Sequence, residues 1–450
     1  MRPAPFVALA LLPATLLAQA SDTTSAARSP ARTVTAYAIR NATIVPVSGP
    51  VIQNGSVVIR GAQIEAAGAG VTIPPDATVV DGTGLFVYPG MIDAGTSLGL
   101  TEIGSVPGGV DTRELGDFNP QNVSLTAVNP HSELIPVTRV NGVTTVITGP
   151  AGGLISGSAA LMDLAGWTPA EMGVRQRAGM VIAYPTDAGG FGGLGGFGGF
   201  GQQRSAADRE AQLNEQVRHL RSYLADARAY VDVKHRLAAG SARTNGAGAQ
   251  RVSQPMEAMA ALVRGEIPAI VDANSAAQIR GALALADSFG IKIILRGARE
   301  GWRLADTLAA RRIPVIVGPL TAVPGAEDPY DMVYANPGAL ARAGVKIAFQ
   351  SSDAANSRNL PYHAALATAY GLDPQEALRA LTINAAEIFG VADRYGTIEP
   401  GKVANLILTT GDPLDVRTIV RQVFIRGEMV PMTDRHTRLY EQFKARPTPE

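Results

Sequence analysis

From residue 85 onward, short apolar runs alternate with helix-patterned stretches, and this alternation constrains the fold more than any other feature of the chain. The runs are Met91–Ala94, Val143–Thr148, Met180–Tyr184, Ile267–Ala273, Ile291–Leu295, Ile313–Val317 and Lys346–Gln350. They are apolar nearly throughout rather than at every second residue, which is the pattern of strands covered on both faces. Several follow Gly or Pro and precede an Ala-rich amphipathic segment. Ser275 to Phe289 is one such segment, with Ile279, Leu283, Ala286 and Phe289 on one face. Strands of this kind separated by helices predict a parallel sheet. Seven can be counted, and one more would close a (β/α)8 TIM-like barrel.

The flanks read differently. Residues 36–88 carry short β-rich runs, Ala38–Val45, Gly55–Gly61 and Ala62–Ala67, separated by Gly and Asn. The same texture returns in Asn405–Leu408, Val420–Arg426 and Gly427–Val430. The expected organisation is an α/β barrel over 89–396 and a small β-sandwich built from both ends of the chain, 36–88 with 397–431. A polar tail, 432–450, follows. Two insertions interrupt the barrel. Gly189–Gly201 is Gly-rich, but a phosphate-cradling loop needs a Lys and a helix directly after it, and the Lys is missing. A surface loop is expected instead. Ser205–Leu237 reads as a long helix with Leu213, Val217, Leu220, Leu224, Ala227 and Val231 in one stripe. The stripe packs on the outside of the barrel or, on the second reading, meets a partner.

The N-terminus predicts export. Arg2 precedes an apolar run, Phe6–Leu17, too short to span a bilayer, and Ala18-Gln19-Ala20 has the small-x-small cleavage pattern. Residues 1–20 are then a signal peptide, Ser21 begins the mature chain, and 21–35 is a flexible lead-in. The expected location is periplasmic or extracellular, with no membrane contact after cleavage. The absence of Cys excludes disulfides, thiolate catalysis and Cys metal sites. Equal numbers of basic and acidic residues, 39 each, argue against nucleic acid as a partner. The sequence sets no oligomeric state, homo- or hetero-oligomeric.

Four segments together resemble the amidohydrolase superfamily, and its imidazolonepropionase-like branch in particular. Pro89-Gly90-Met91-Ile92-Asp93-Ala94 is similar to the opening of that barrel, where the family continues His-x-His. Val345–Asp353 resembles its last strand, which ends in the catalytic Asp. Ala377–Ala386 resembles the helix that follows, and Tyr395–Leu406 the return to the sandwich. The resemblance implies His ligands at strand ends holding one or two divalent metals, zinc or similar, that bring a bound water's pKa toward neutrality. It implies Asp353 as metal ligand and general acid/base. It also implies hydrolysis of a small-molecule substrate at a non-peptide carbon–nitrogen bond, an amide or cyclic amide.

The sequence departs from the family at the metal ligands. Gly95-Thr96-Ser97 stands where His-x-His is expected. The fifth-strand His maps onto Asp272, and the sixth near Arg296 or Gly297. A family-like Lys on the fourth strand is not evident. None of the five His, at 131, 219, 235, 363 and 436, ends a predicted strand, although His131 and His363 fall in stretches that could line the mouth. Three readings of the remaining charges stand, one being that these positions are unrelated to the family's site. Asp272 and Asp353 could hold a hard cation with waters. Alternatively, Arg296 occupies the vacated metal position and neutralises the carboxylates.

Gly95-Thr96-Ser97-Leu98-Gly99 also satisfies the G-x-S-x-G pattern of a serine nucleophile. That device needs a sharp strand-to-helix turn, and Leu100–Asp111 is too rich in Gly and Pro to read as helix. Two functions are therefore expected in competition. One is an exported hydrolase with Asp353 as acid/base and an altered or absent metal site. The other is a pseudoenzyme that binds a ligand or an intact member of the family.

Overall fold

The computed structural model describes residues 35–186, 205–239, 252–322, 328–444 and 446. The expected signal peptide, all of the lead-in but Thr35, and the Gly-rich stretch 189–201 lie outside the described residues.

The barrel sheet has eight strands in simple order: β1 (Met91–Thr96), β2 (Val143–Thr148), β3 (Ile155–Asp163), β4 (Gly173–Ala183), β5 (Ala269–Ala273), β6 (Ile293–Gly297), β7 (Val315–Val317) and β8 (Ile347–Phe349). The seven runs read from sequence fall on seven of these. The eighth, β3, escapes that reading because Ile-Ser-Gly-Ser-Ala-Ala-Leu-Met-Asp is built from small residues of low strand propensity. Its small residues have a reason: a Cβ on Gly157 would stand 2.7 Å from the Cβ of Asn122. β3 runs antiparallel to both β2 and β4, so the two connections flanking it carry no long crossover helix. Every other pair of neighbours is parallel. At the mouth end the gap between β8 and β1 is bridged by Ser352 N–H donating to Gly95 O at 2.9 Å. At the foot, Ile92 N–H donates to Leu381 O at 2.8 Å.

The barrel interior follows from the two-residue period of strands. Ile92, Ala94, Ile147, Ala159, Leu161, Ala178, Val181, Ile270, Ile294, Ile316 and Ala348 form one buried cluster, closed at the foot by Phe389 and Tyr395. The intervening residues face the surrounding helices. The long helix α1 (Ala206–Ala238) begins at a capping box, with Ser205 Oγ accepting from Asp208 N–H at 3.1 Å. Leu220, Leu224 and Ala227 of its stripe are fully buried and Leu213, Val217 and Val231 half-buried. It packs on α2 (Gln254–Val263) and α3 (Ala276–Phe289). α4 (Met332–Arg342) and α5 (Leu360–Ala369) pack together beside β8.

Strands from both chain ends join a second sheet. Phe86–Pro89 pairs with Ala36–Ile44 on one side and with Leu406–Thr409 on the other. Its own core comprises Ile39, Ile44, Val57, Ile59, Val87, Leu406, Leu408 and Phe424. The segment expected to be only a polar tail contains a helix, Arg435–Lys444, which Arg438 ties to Glu133 at 2.7 Å.

Beneath the barrel a buried polar cluster joins the two sheets. Asp163, at the end of β3, accepts from Thr145 Oγ1 at 2.9 Å, Asn405 Nδ2 at 2.8 Å and Tyr395 OH at 3.0 Å, with Arg426 Nε 3.6 Å away. Burial pushes its carboxyl upward against the pull of Arg426 and these donors.

Candidate active site at the barrel mouth

The parallel strands end together at one face, where loops from β1, β5, β6 and β8 meet. Asp272 and Arg296 occupy matched positions on β5 and β6, which puts their side chains on the same side of the sheet. Arg296 binds both carboxylate oxygens, Nε to Oδ1 at 2.5 Å and Nη2 to Oδ2 at 2.7 Å. Burial pushes the guanidinium pKa down and the Asp272 charge pushes it up. The net shift is upward, so Arg296 is a fixed cation. Its Nη1 makes no hydrogen bond among the described residues and lies 3.7 Å from where a Cβ on Gly149 would stand.

Gly95 ends β1. A side chain there would collide with Gln350, whose Oε1 lies 2.4 Å from the Cβ position. Gln350 is buried and held by its Nε2 donating to Gly318 O at 2.8 Å. Gln350 therefore fills the space that a residue-95 imidazole would take.

Asp353 lies just past β8 and is exposed. Ser352 adopts left-handed backbone, φ 65°, which costs a non-glycine residue about 1–2 kcal/mol and turns the chain out of the strand. The Asp353 Oδ1 then accepts from Ala355 N–H at 2.6 Å and Asn356 N–H at 3.4 Å, capping the turn that follows.

The buried carboxyl at this end of the barrel is Asp93. Its Oδ1 accepts from Gly95 N–H at 3.1 Å and Ser351 N–H at 3.0 Å, and its Oδ2 from Ser351 Oγ at 2.5 Å. Hydroxyls continue the chain: Ser351 Oγ to Ser357 Oγ at 3.1 Å, and Ser357 Oγ to Thr96 Oγ1 at 2.7 Å. Burial without a counter-charge pushes Asp93 up to about 7, against the three donors that stabilise its anion. The motif that contains Asp93 implies no role for it. The available signal was an acid inside an otherwise apolar strand.

The other sequence candidates are dispersed. Ser97 is half-buried at the mouth, but turns and one 3-10 turn, Pro107–Gly109, follow it. The strand-to-helix elbow of a serine nucleophile is therefore not formed. His131 is exposed, with its ring centroid 6.4 Å from that of Trp167. Trp167 follows the antiparallel β3, at the foot rather than the mouth. His363 is buried on α5. Its Nδ1 accepts from Leu320 N–H at 3.3 Å, which leaves the proton on Nε2, and burial keeps the ring neutral. His219 pairs with Glu215 at 2.7 Å on α1, His235 is exposed near its end, and His436 approaches Arg358 at 3.2 Å.

This donor set does not fit the superfamily's metal. Asp272 spends both oxygens on Arg296, the residue-95 space is filled by Gln350, and Asp353 Oδ1 is committed to backbone amides. Among the described residues no three His, Cys, Asp or Glu side chains converge.

Comparison with known proteins places the matches on the second half of the barrel and on the whole fold. The model of the amidohydrolase family matches residues 331–430. An adenine deaminase from Nitratidesulfovibrio vulgaris (strain DP4) is 37% identical over 81 residues, 18% of this chain and 13% of that protein. An imidazolonepropionase from Porphyromonas gingivalis is 49% identical over 53 residues, 12% of each. The chain thus matches about an eighth of the length of these curated relatives. The crystal structure of an amidohydrolase from Thermotoga maritima MSB8 superposes with TM-score 0.76 at 26% identity, covering 88% of this chain and 99% of that one.

Proposed function

Because the chain belongs to the amidohydrolase superfamily, we propose that it hydrolyses a non-peptide carbon–nitrogen bond, an amide or cyclic amide, in a small molecule received at the barrel mouth. The observation that carries this reading is the match over the whole fold to an amidohydrolase at 26% identity, together with the family match across β8 and Asp353. In this reading Asp353 is the general acid/base, using the carboxylate oxygen not committed to the turn.

The metal site is altered on the same reading. Arg296 supplies the fixed positive charge, and its Nη1 can donate to a substrate carbonyl oxygen. A guanidinium preserves charge balance but cannot lower the pKa of a water by coordination. That limit, with Asp272 fully engaged, favours one alternative: a ligand-binding relative without turnover, which could pair with an intact member of the superfamily.

Metal analysis of purified protein, with turnover assays across amides and lactams, tests both. The altered-site hydrolase predicts turnover that is lost in Asp353→Asn, with zinc, manganese and iron below one equivalent. Tight metal at one equivalent, released in Asp353→Asn, would sink the altered site. Absence of turnover across the substrate panel would leave the binding protein. We also propose that the chain is exported, with Ser21 as the mature N-terminus. Recovery of protein retaining residues 1–20 outside the cytoplasm would refute that cleavage.

A further inference from the structure

Ser357 is fully buried, and its hydroxyl holds the backbone from which Asp353 projects. Among the described residues Asp353 O has no backbone donor. Its partners are the hydroxyls of Ser357 at 3.0 Å and Ser351 at 3.3 Å. Each hydroxyl carries one proton, so the donors can be counted. When Asp93 is ionised, the Ser351 proton belongs to Asp93 Oδ2 at 2.5 Å. Ser357 is then the donor left for Asp353 O. Thr96 Oγ1 accepts from Leu98 N–H at 3.2 Å and, 2.7 Å from Ser357 Oγ, supplies the proton that Ser357 accepts. Thr96, Ser357 and Asp353 O thus form a directed chain that starts on β1 and ends beyond β8. When Asp93 is protonated, the Ser351 proton is released and can turn to Asp353 O as a second, longer bond.

The Ser357 bond completes a set of three anchors around Asp353. On the N-terminal side, Ser352 N–H donates to Gly95 O at 2.9 Å. On the side chain, Oδ1 accepts from the amides of Ala355 and Asn356. These two would leave the residue free to rock about the line that joins them. The third anchor, on the carbonyl oxygen, removes that freedom. It also helps to hold the left-handed turn at Ser352, a conformation that persists only where its surroundings over-determine it. Oδ2 is left as the carboxylate oxygen without a hydrogen bond among the described residues.

We propose that Ser357 is a positioning residue for the hydrolysis: its hydroxyl, backed by Thr96, fixes the Asp353 backbone so that Oδ2 is presented to the substrate. The proposal rests on the hydrolytic reading, with Asp353 as general acid/base. Proton transfer needs hydrogen-bond distance, and a misplacement of about 1 Å costs about a hundredfold in rate.

Steady-state kinetics of the full chain on the panel of amides and lactams test it, at about pH 8.5, where Asp93 is ionised and Ser351 cannot substitute. Ser357→Ala should lower kcat by about tenfold to a hundredfold and change KM by less than about twofold. Ser357→Thr retains the hydroxyl and should recover most of kcat. Should Ser357→Ala fail to fold, Ser357→Cys carries the same test, because it keeps a similar volume and replaces the hydroxyl by a weak donor. A merely structural Ser357 would lower the melting temperature and leave kcat of the folded protein unchanged. Unchanged kcat in Ser357→Ala, a raised KM at unchanged kcat, or equal loss in folded Ser357→Thr and Ser357→Ala would each overturn the proposal. Absence of turnover by the natural protein would overturn it together with the hydrolytic reading. Turnover that is abolished by Asp353→Asn but indifferent to Ser357→Ala would overturn it alone.

Discussion

Arg296 holds both carboxylate oxygens of Asp272 across the matched ends of two adjacent barrel strands, at 2.5 and 2.7 Å. Removing only the guanidinium leaves a carboxylate that is about one third exposed. Arg296→Met is therefore expected to lose about 1–2 kcal/mol, less than a fully buried pair would, because water screens the survivor. Asp272→Asn in the same background should recover most of the loss. Urea midpoints of the four-member cycle check this, and an additive cycle would contradict the pairing.

Gly95 and Gln350 are coupled by shape. Gly95→Ala should cost about 1–3 kcal/mol, because the new methyl meets Gln350 Oε1 at 2.4 Å. In a Gln350→Ala background the same substitution should cost clearly less. Thermal unfolding of the two single variants and the double variant measures the difference. Equal cost in both backgrounds would show that Gln350 does not occupy that space.

Asp93 should make stability depend on pH in a direction unusual for a carboxylate. Its folded value, about 7, lies above the ordinary 3.8, so the folded state holds the proton more tightly than the unfolded chain does. The contribution is complete below about pH 4 and is lost as pH rises through 7, a change of up to about 4 kcal/mol. Relative to Asp93→Asn, the natural protein should therefore lose stability from pH 4 to 7 and level off above 8. Denaturation midpoints over that range decide it, and a constant difference would refute the buried acid.

Asn405 is a junction beneath the barrel. Its Nδ2 donates to Asp163 and Thr145, and its Oδ1 accepts from Arg426 N–H at 2.8 Å. Asn405→Ala removes all three bonds and leaves Asp163 short of a donor, so a loss of about 2–4 kcal/mol is expected in guanidinium unfolding. A change within experimental scatter would mean that water replaces the amide.

The barrel was legible because seven of its strands lie in short runs that are apolar nearly throughout, and the buried stripe of α1 because its spacing is helical. β3 was not, since Gly157, Ser158 and Ala159 pack by being small rather than by being apolar. The mouth was legible in part. The pairing of Asp272 with Arg296 is one of three readings open in the sequence, and their register on neighbouring strands places them together. The role of Gln350 could not be read, because its contact with Gly95 links residues 255 apart in sequence through a ring closure. The hydroxyl chain around Asp93 depends on Ser357, which reaches Thr96 across the same closure.

The single reversed strand also bears on how the chain finds its fold. β2, β3 and β4 form a meander over Val143–Ala183, whose hairpin pairings close short loops. The remaining barrel pairings must wait for a helix or a long excursion to bring strands together, and ring closure joins residues some 250 apart. The meander therefore gives this barrel a local starting point that an all-parallel barrel lacks. In pulse-labelled hydrogen exchange during refolding, its amides should gain protection before those of β1 and β8.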